Sequence, residues 1–255
     1  MPLIQSVSAV LILILSATSL CCHAVSTLAA EPPIALGSRR ELFVDHALID
    51  RLDGVSLQLQ RTAPGGVALG FDQPWEGEVS GYVTVIHDGD RYRLYYRGRP
   101  LTGYGDLDPR AREVTCYAAS SDGITFTRPN PGLVSFGGNK NNNAILADVG
   151  HVTHNFAPFL DTRPGVPAAE RFKGVGGISK SGLMAFVSPD GIHFQKLQDQ
   201  PIITGGAFDS QNNIFWSESE QRYACVFFFA HSGTACAGLR GRLPPTFATG
   251  RRRLT

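Results

Sequence analysis

The chain has 255 residues, 43% of them hydrophobic and 18% charged, which suffices for a packed core in one large domain or two small ones. A formal net charge of +1 gives no basic surface of the kind that attracts nucleic acid or an anionic membrane. The charge is uneven, however: Glu220 is the last acidic residue, and six arginines follow it.

Residues 1–30 read as a signal peptide. An apolar run at 7–20, too short for a comfortable membrane span, is followed by small residues and then by Glu31-Pro32-Pro33. Cleavage near Ala24 or Ala30 would export the remainder to the periplasm or the extracellular space, with no stable membrane span left. Cys21 and Cys22 lie in this leader. Cys116, Cys225 and Cys236 are too few and too widely spaced for a disulfide framework, and Cys116 and Cys225 sit in apolar strand patterns that suggest buried thiols.

The folded region is expected over 39–230. After "ELFVDHALID", which carries Asp45 and His46, the first alternating strand is "YVTVIHD" at 82–88; Gly89-Asp90 turns the chain into "RYRLYYRG" at 91–98. A Gly- and Arg-rich stretch, 95–113, reads as an exposed loop bordering a groove through Arg97, Asp106 or Asp108. A third strand, "EVTCYAAS" at 113–120, reaches Asp122-Gly123 and a short outer strand ending at Phe126. "NFAPFLD", "AERFKGVGG" and "GLMAFVSP" then repeat the order, with Asp190-Gly191 leading to Phe194. "NNIFWSE" and "RYACVFFFA" flank residues 219–221 in the same way.

Residues 121–138 align with 189–206 without a gap, at an offset of 68: Asp122-Gly123-Ile124 on Asp190-Gly191-Ile192, Phe126 on Phe194, and Gly137-Gly138 on Gly205-Gly206. Such a unit has apolar faces that only a neighbouring copy covers. With no long helical pattern in the body, the expectation is all-β: four-stranded antiparallel blades stacked radially in an incomplete five-bladed β-propeller. Inner strands begin near Tyr82, Asn155 and Asn212, giving two full blades and the start of a third. Residues 231–255 lose strand alternation and acidic groups and read as an aberrant or disordered basic tail.

Inner strands of a propeller line a channel, so polar residues at their starts are the candidates for a site. Two carboxylates facing one cleft would serve glycoside hydrolysis, one as acid and the other as nucleophile or base. The catalytic candidates are Asp45, Glu76 and Asp209; the substrate-binding candidates are Trp75, His154, Asn155 and Gln211. Glu78 reads as solvated, and Asp122 and Asp190 as turn residues bonding the local backbone. No HExxH, calcium-loop or phosphate-cradling pattern occurs, so neither a metal nor a cofactor is expected.

"ELFVDHALIDR", "PWEGEVSGYVTVIHDGDRYRLYYRG", "EVTCYAASSDGITF", "HNFAPFLDTRPGVPAAERFKG" and "AFDSQNNIFWSESEQRY" resemble exported proteins of planctomycete-type bacteria, a group similar to the five-bladed propeller glycoside hydrolases (the invertase, levansucrase and arabinanase clan). That resemblance implies three acids facing a central pocket. Asp45 is the nearest match to the nucleophile, Asn155 stands where a second-blade Asp is expected, and Asp209 stands in place of a general-acid Glu. Glu76 would serve a rearranged site. The resemblance implies a secreted glycoside hydrolase-like protein acting on a carbohydrate, or an inactive fragment of one. The alternative is a noncatalytic carbohydrate-binding or structural propeller module.

Overall fold

The computed structural model describes residues 34–37, 41–100, 113–231 and 234–243, with backbone alone beyond Phe227. The leader, Asp106, Asp108 and the residues after 243 lie outside the described residues. The chain divides into two compact units, Met1–Arg61 and Thr62–Thr255. Over 41–61 the first contains turns and bends and no strand.

The second unit is all-β. β1 (Gly81–Asp88), β2 (Arg91–Gly98), β3 (Val114–Ser120) and β4 (Ala144–Leu146) form one antiparallel sheet in chain order. β5 (Ala157–Leu160), β6 (Phe172–Gly176), β7 (Met184–Ser188) and β8 (Gln195–Lys196) form a second. β9 (Asn213–Ser217), β10 (Arg222–His231) and β11 (Thr234–Leu243) form a third; none of the three closes on itself. β1 lies against β5, and β5 against β9, so the first strands of successive sheets are neighbours. Two 3-10 turns, Gly150–His154 and Ala168–Glu170, are the helical pieces among the described residues, and no helix there is long and apolar enough to cross a membrane.

The 68-residue repeat reappears atom for atom. In the first sheet, Ser120 Oγ donates to Asp122 Oδ1 (2.7 Å), and Oδ1 accepts the amides of Ile124 and Thr125 (both 2.8 Å). In the second, Ser188 Oγ donates to Asp190 Oδ1 (2.9 Å), which accepts the amides of Ile192 and His193 (both 2.9 Å). Gly123 and Gly191 both hold φ +74°, a left-handed conformation that favours glycine.

The outer strands depart from expectation. Asp122 takes the amides that a strand ending at Phe126 would use, and the Phe126 amide goes to Ala68 instead (3.3 Å). Beyond the turn the first sheet makes an isolated bridge, Ala119↔Thr127, and its fourth strand arrives later, at Ala144–Leu146. In the second sheet the strand follows Phe194, at Gln195–Lys196. β11 is a strand that the sequence pattern does not announce.

Tyr95, Tyr117, Phe156, Phe172 and Phe186 fill the space between the first two sheets; Phe159, Val175, Ile214, Trp216 and Tyr223 fill the next. Each large side chain buried in this way contributes about 1.5–3 kcal/mol, so apolar packing dominates stability. Ionic locks then fix the register. Asp88 at the end of β1 takes Arg93 Nε (2.7 Å) and Arg171 from the second sheet, and both guanidiniums face the Phe172 ring. One sheet further on, Asp161 takes the fully buried Lys173 Nζ (2.6 Å) and the Tyr223 hydroxyl (2.6 Å).

Candidate functional site

The starts of β1, β5 and β9 lie at one end of the sheets: Gln211, just before β9, donates to Thr84 Oγ1 (2.6 Å) and to the Val83 carbonyl (3.2 Å) of β1. At this end a shift in the β1–β2 register between Gly81 and Thr84 forms a bulge. Within it, Tyr82 has φ +52°, a conformation that is costly for an aromatic residue and is associated with functional positions.

The bulge brings the Tyr82 ring under the Arg97 guanidinium (4.6 Å) and beside the His154 ring (5.5 Å between centroids). Glu113, one residue before β3, completes the group. Its Oε2 lies 2.9 Å from His154 Nδ1, and its Oε1 lies 3.5 Å from Arg97 Nη1. Arg97 Nη2 donates to the Val79 carbonyl (2.9 Å), fixing the guanidinium plane. Burial works to raise the Glu113 pKa, but the hydrogen bond and charge of His154, with the charges of Arg97 and Arg99, outweigh it and hold the carboxyl below its usual value. His154 Nδ1 thus lies between the Glu113 carboxylate and Arg97 Nη1, 3.3 Å from the latter. Arg97, Glu113 and His154 keep 15%, 22% and 26% of their side-chain surface, so the group is sheltered yet reachable.

Of the residues expected from sequence, His154 belongs to this group, and Arg97 was anticipated as a groove residue. Glu76 does not belong. It is wholly buried, with Oε1 accepting Tyr96 Oη and Arg128 Nε (2.7 Å) and Oε2 accepting the Gln73 amide (2.9 Å) and Arg128 Nη2 (3.0 Å). A carboxylate with both oxygens filled has a structural role. Trp75 spends its indole N–H on Asn143 Oδ1 (2.6 Å) and packs its ring with Phe136 rather than offering a platform. Asn155 is fully buried, and its Nδ2 ties together the Phe208, Gly177 and Ser210 carbonyls (2.7, 3.0 and 3.0 Å).

Gln211 is spent on β1, as described. Asp209 is exposed in the segment before β9. Asp45 lies in the first unit, exposed, with Oδ1 accepting the Ala47 amide (2.9 Å). Asp122 and Asp190 are turn residues, as the sequence indicates. Glu113 and Tyr82 were missed. The available signal for Glu113 was a charge opening an apolar strand, one position past the Gly98↔Val114 pair and so across from Arg99.

No protein-family profile matches the chain, and no curated protein matches it. Among solved structures, a glycosyl hydrolase from Bacteroides ovatus is similar over 62% of this chain and 62% of its own, with 13% identity and a TM-score of 0.28. The chain thus spans less than two thirds of that protein, and a superposition this loose carries no argument about fold or activity.

Proposed function

We propose that this is an exported carbohydrate-binding protein built on successive propeller blades, with its ligand held at the strand-start end by Tyr82, Glu113 and His154. The observation that carries this reading is the half-sheltered Tyr82–Arg97–Glu113–His154 group. It sets an aromatic face beside an imidazole and a carboxylate, the chemistry that recognises a sugar ring and its hydroxyls. The apolar N-terminal run supports export.

Binding is favoured over hydrolysis because Glu76, one of the three acids expected to act together, has both oxygens taken by Arg128, Tyr96 and the Gln73 amide. Asp209 supports a second reading, glycoside hydrolysis with Glu113 as its partner acid, because it is exposed and precedes the same strand start that Gln211 ties to β1.

Calorimetric titration with a panel of neutral and acidic oligosaccharides, paired with a reducing-end release assay, tests both readings. The expected result is binding that falls about tenfold or more in Tyr82→Ala and His154→Ala, without bond cleavage. Failure of every glycan to bind overturns the carbohydrate reading. Cleavage that requires both Glu113 and Asp209 replaces binding with hydrolysis.

A further inference from the structure

At the other end of the first sheet's strands from Tyr82 lies a cleft of about 390 Å³. Asp90 and Arg91, at the β1–β2 turn, form one wall; Ala119, Ser121, Thr125 and Thr127, around the Asp-Gly turn after β3, form the other. Clefts that hold small molecules run from about 300 to 1,000 Å³, so this one has room for one or two sugar rings.

The 68-residue repeat shows what sets this place apart. The second sheet carries Val187, Pro189, His193 and Gln195 where the first has Ala119, Ser121, Thr125 and Thr127. Every exchange makes the first sheet's side chain the smaller, and three of the four supply a hydroxyl. His193 is engaged by Asp190 Oδ2 (2.7 Å), whereas no hydrogen bond among the described residues engages the exposed hydroxyls of Ser121 and Thr125. Arg91 differs from its counterpart too. Arg171, at the same place after the β5–β6 turn, is locked to Asp88 and lies on the Phe172 ring. Arg91 is 52% exposed, and its ion pair among the described residues is with its neighbour Asp90 (3.3 Å).

The groups lining the cleft are therefore accessible and weakly committed. Hydroxyls both donate and accept, Arg91 donates and Asp90 accepts, which matches a ligand whose own polar groups are hydroxyls. A phosphate or sulfate would meet the Asp90 carboxylate together with the Arg91 guanidinium, and the two charges oppose each other. The lining includes no aromatic ring, so the contact is polar and weak.

We propose that this cleft is a second saccharide site, for a short neutral glycan, separate from the site at Tyr82. It rests on the carbohydrate reading of the protein but on none of the residues of the first site.

The test follows backbone amide NMR shifts of the exported protein during titration with maltose, cellobiose and xylobiose, and separately with inorganic phosphate. The amides of residues 121–127 are expected to shift with one of the sugars, with a Kd on the order of 1 mM. Thr125→His with Thr127→Gln, which installs the residues that the second sheet already carries there, is expected to weaken that binding about tenfold or more. Arg91→Gln, an exposed change on the opposite wall, is expected to weaken it as well, while Tyr82→Ala leaves it unchanged. Shifts confined to the Tyr82 site overturn the second site and leave the carbohydrate reading standing. Full binding at 121–127 in both cleft variants overturns the residues assigned. A response there to phosphate and to none of the sugars overturns the saccharide in favour of an oxyanion. Silence at both sites overturns the cleft, and the oligosaccharide titration described above then decides the carbohydrate reading on its own.

Discussion

Replacing Glu76 by Gln separates a structural carboxylate from a catalytic one. The side chain keeps its size, but one oxygen becomes an amide N–H, and whichever way the amide is turned it meets a donor of Arg128. Removing one partner of a buried ion pair costs about 3–5 kcal/mol. Arg128 keeps 22% of its surface and still reaches the Gly70 carbonyl and Asp72 (3.2 Å), which lowers the expected loss to about 2–4 kcal/mol. In a unit of this size, each kcal/mol shifts melting by about 2–4 °C, so Glu76→Gln should melt roughly 5–15 °C lower. Urea denaturation at constant m value measures the same loss independently.

Glu76→Gln with Arg128→Met should recover a substantial part of it, because the unpaired guanidinium goes as well. The reasoning fails if Glu76→Gln unfolds within about 0.5 kcal/mol of the parent protein, the range of neutral surface changes. It fails equally if ligand binding is abolished at unchanged stability.

Two further outcomes follow from the turns and the locks. At Gly191 an added Cβ would sit 2.7 Å from the Tyr95 hydroxyl, which donates to the Gly191 carbonyl (2.9 Å), so Gly191→Ala should cost about 2–3 kcal/mol from left-handed strain and a lost buried hydrogen bond. Gly89→Ala, at φ +67° in open space, should cost only about 1–2 kcal/mol, and chemical denaturation of the pair checks the difference. Burial raises the Asp88 pKa, but hydrogen bonds from Arg171 and Arg93 outweigh it and leave the carboxyl below its ordinary value. Its stabilisation is therefore fully present above about pH 4, the unfolded value, and is lost as pH falls through the lower folded value. Melting temperature against pH should drop on the acid side in the parent protein and less so in Asp88→Asn; equal acid slopes would refute the assignment.

The hairpins were legible because their causes are local. Asp-Gly at 122 and 190 sets a turn through bonds spanning two or three residues, and the repeat spacing showed that the two turns are equivalent. The outer strand of the first sheet was not legible, because the Phe126 amide takes a partner as distant as Ala68 and the fourth strand comes from Ala144–Leu146. The site divided along the same line. His154 was found as a polar residue before an inner strand, whereas Glu113 acquires its meaning from a histidine 41 positions away. The bonds that fill Glu76 were not legible because Arg128, which donates to both of its oxygens, lies 52 positions downstream. Pattern within a strand reveals burial; it does not reveal who shares a charge across the fold.

The ionic locks give the row of sheets a direction. By register, Asp88 opposes Arg91 on its own sheet, and Ser217 opposes Arg222 at the same place in the third. Ile86 opposes Arg93 and Phe159 opposes Lys173, while the matching residue across from Phe215 is Ala224. The first and second sheets thus each carry an acid that bonds the sheet after it, Asp88 to Arg171 and Asp161 to Tyr223, where the third has Ser217. Losing either carboxylate would therefore loosen two sheets at once, the one that carries it and the one that it holds.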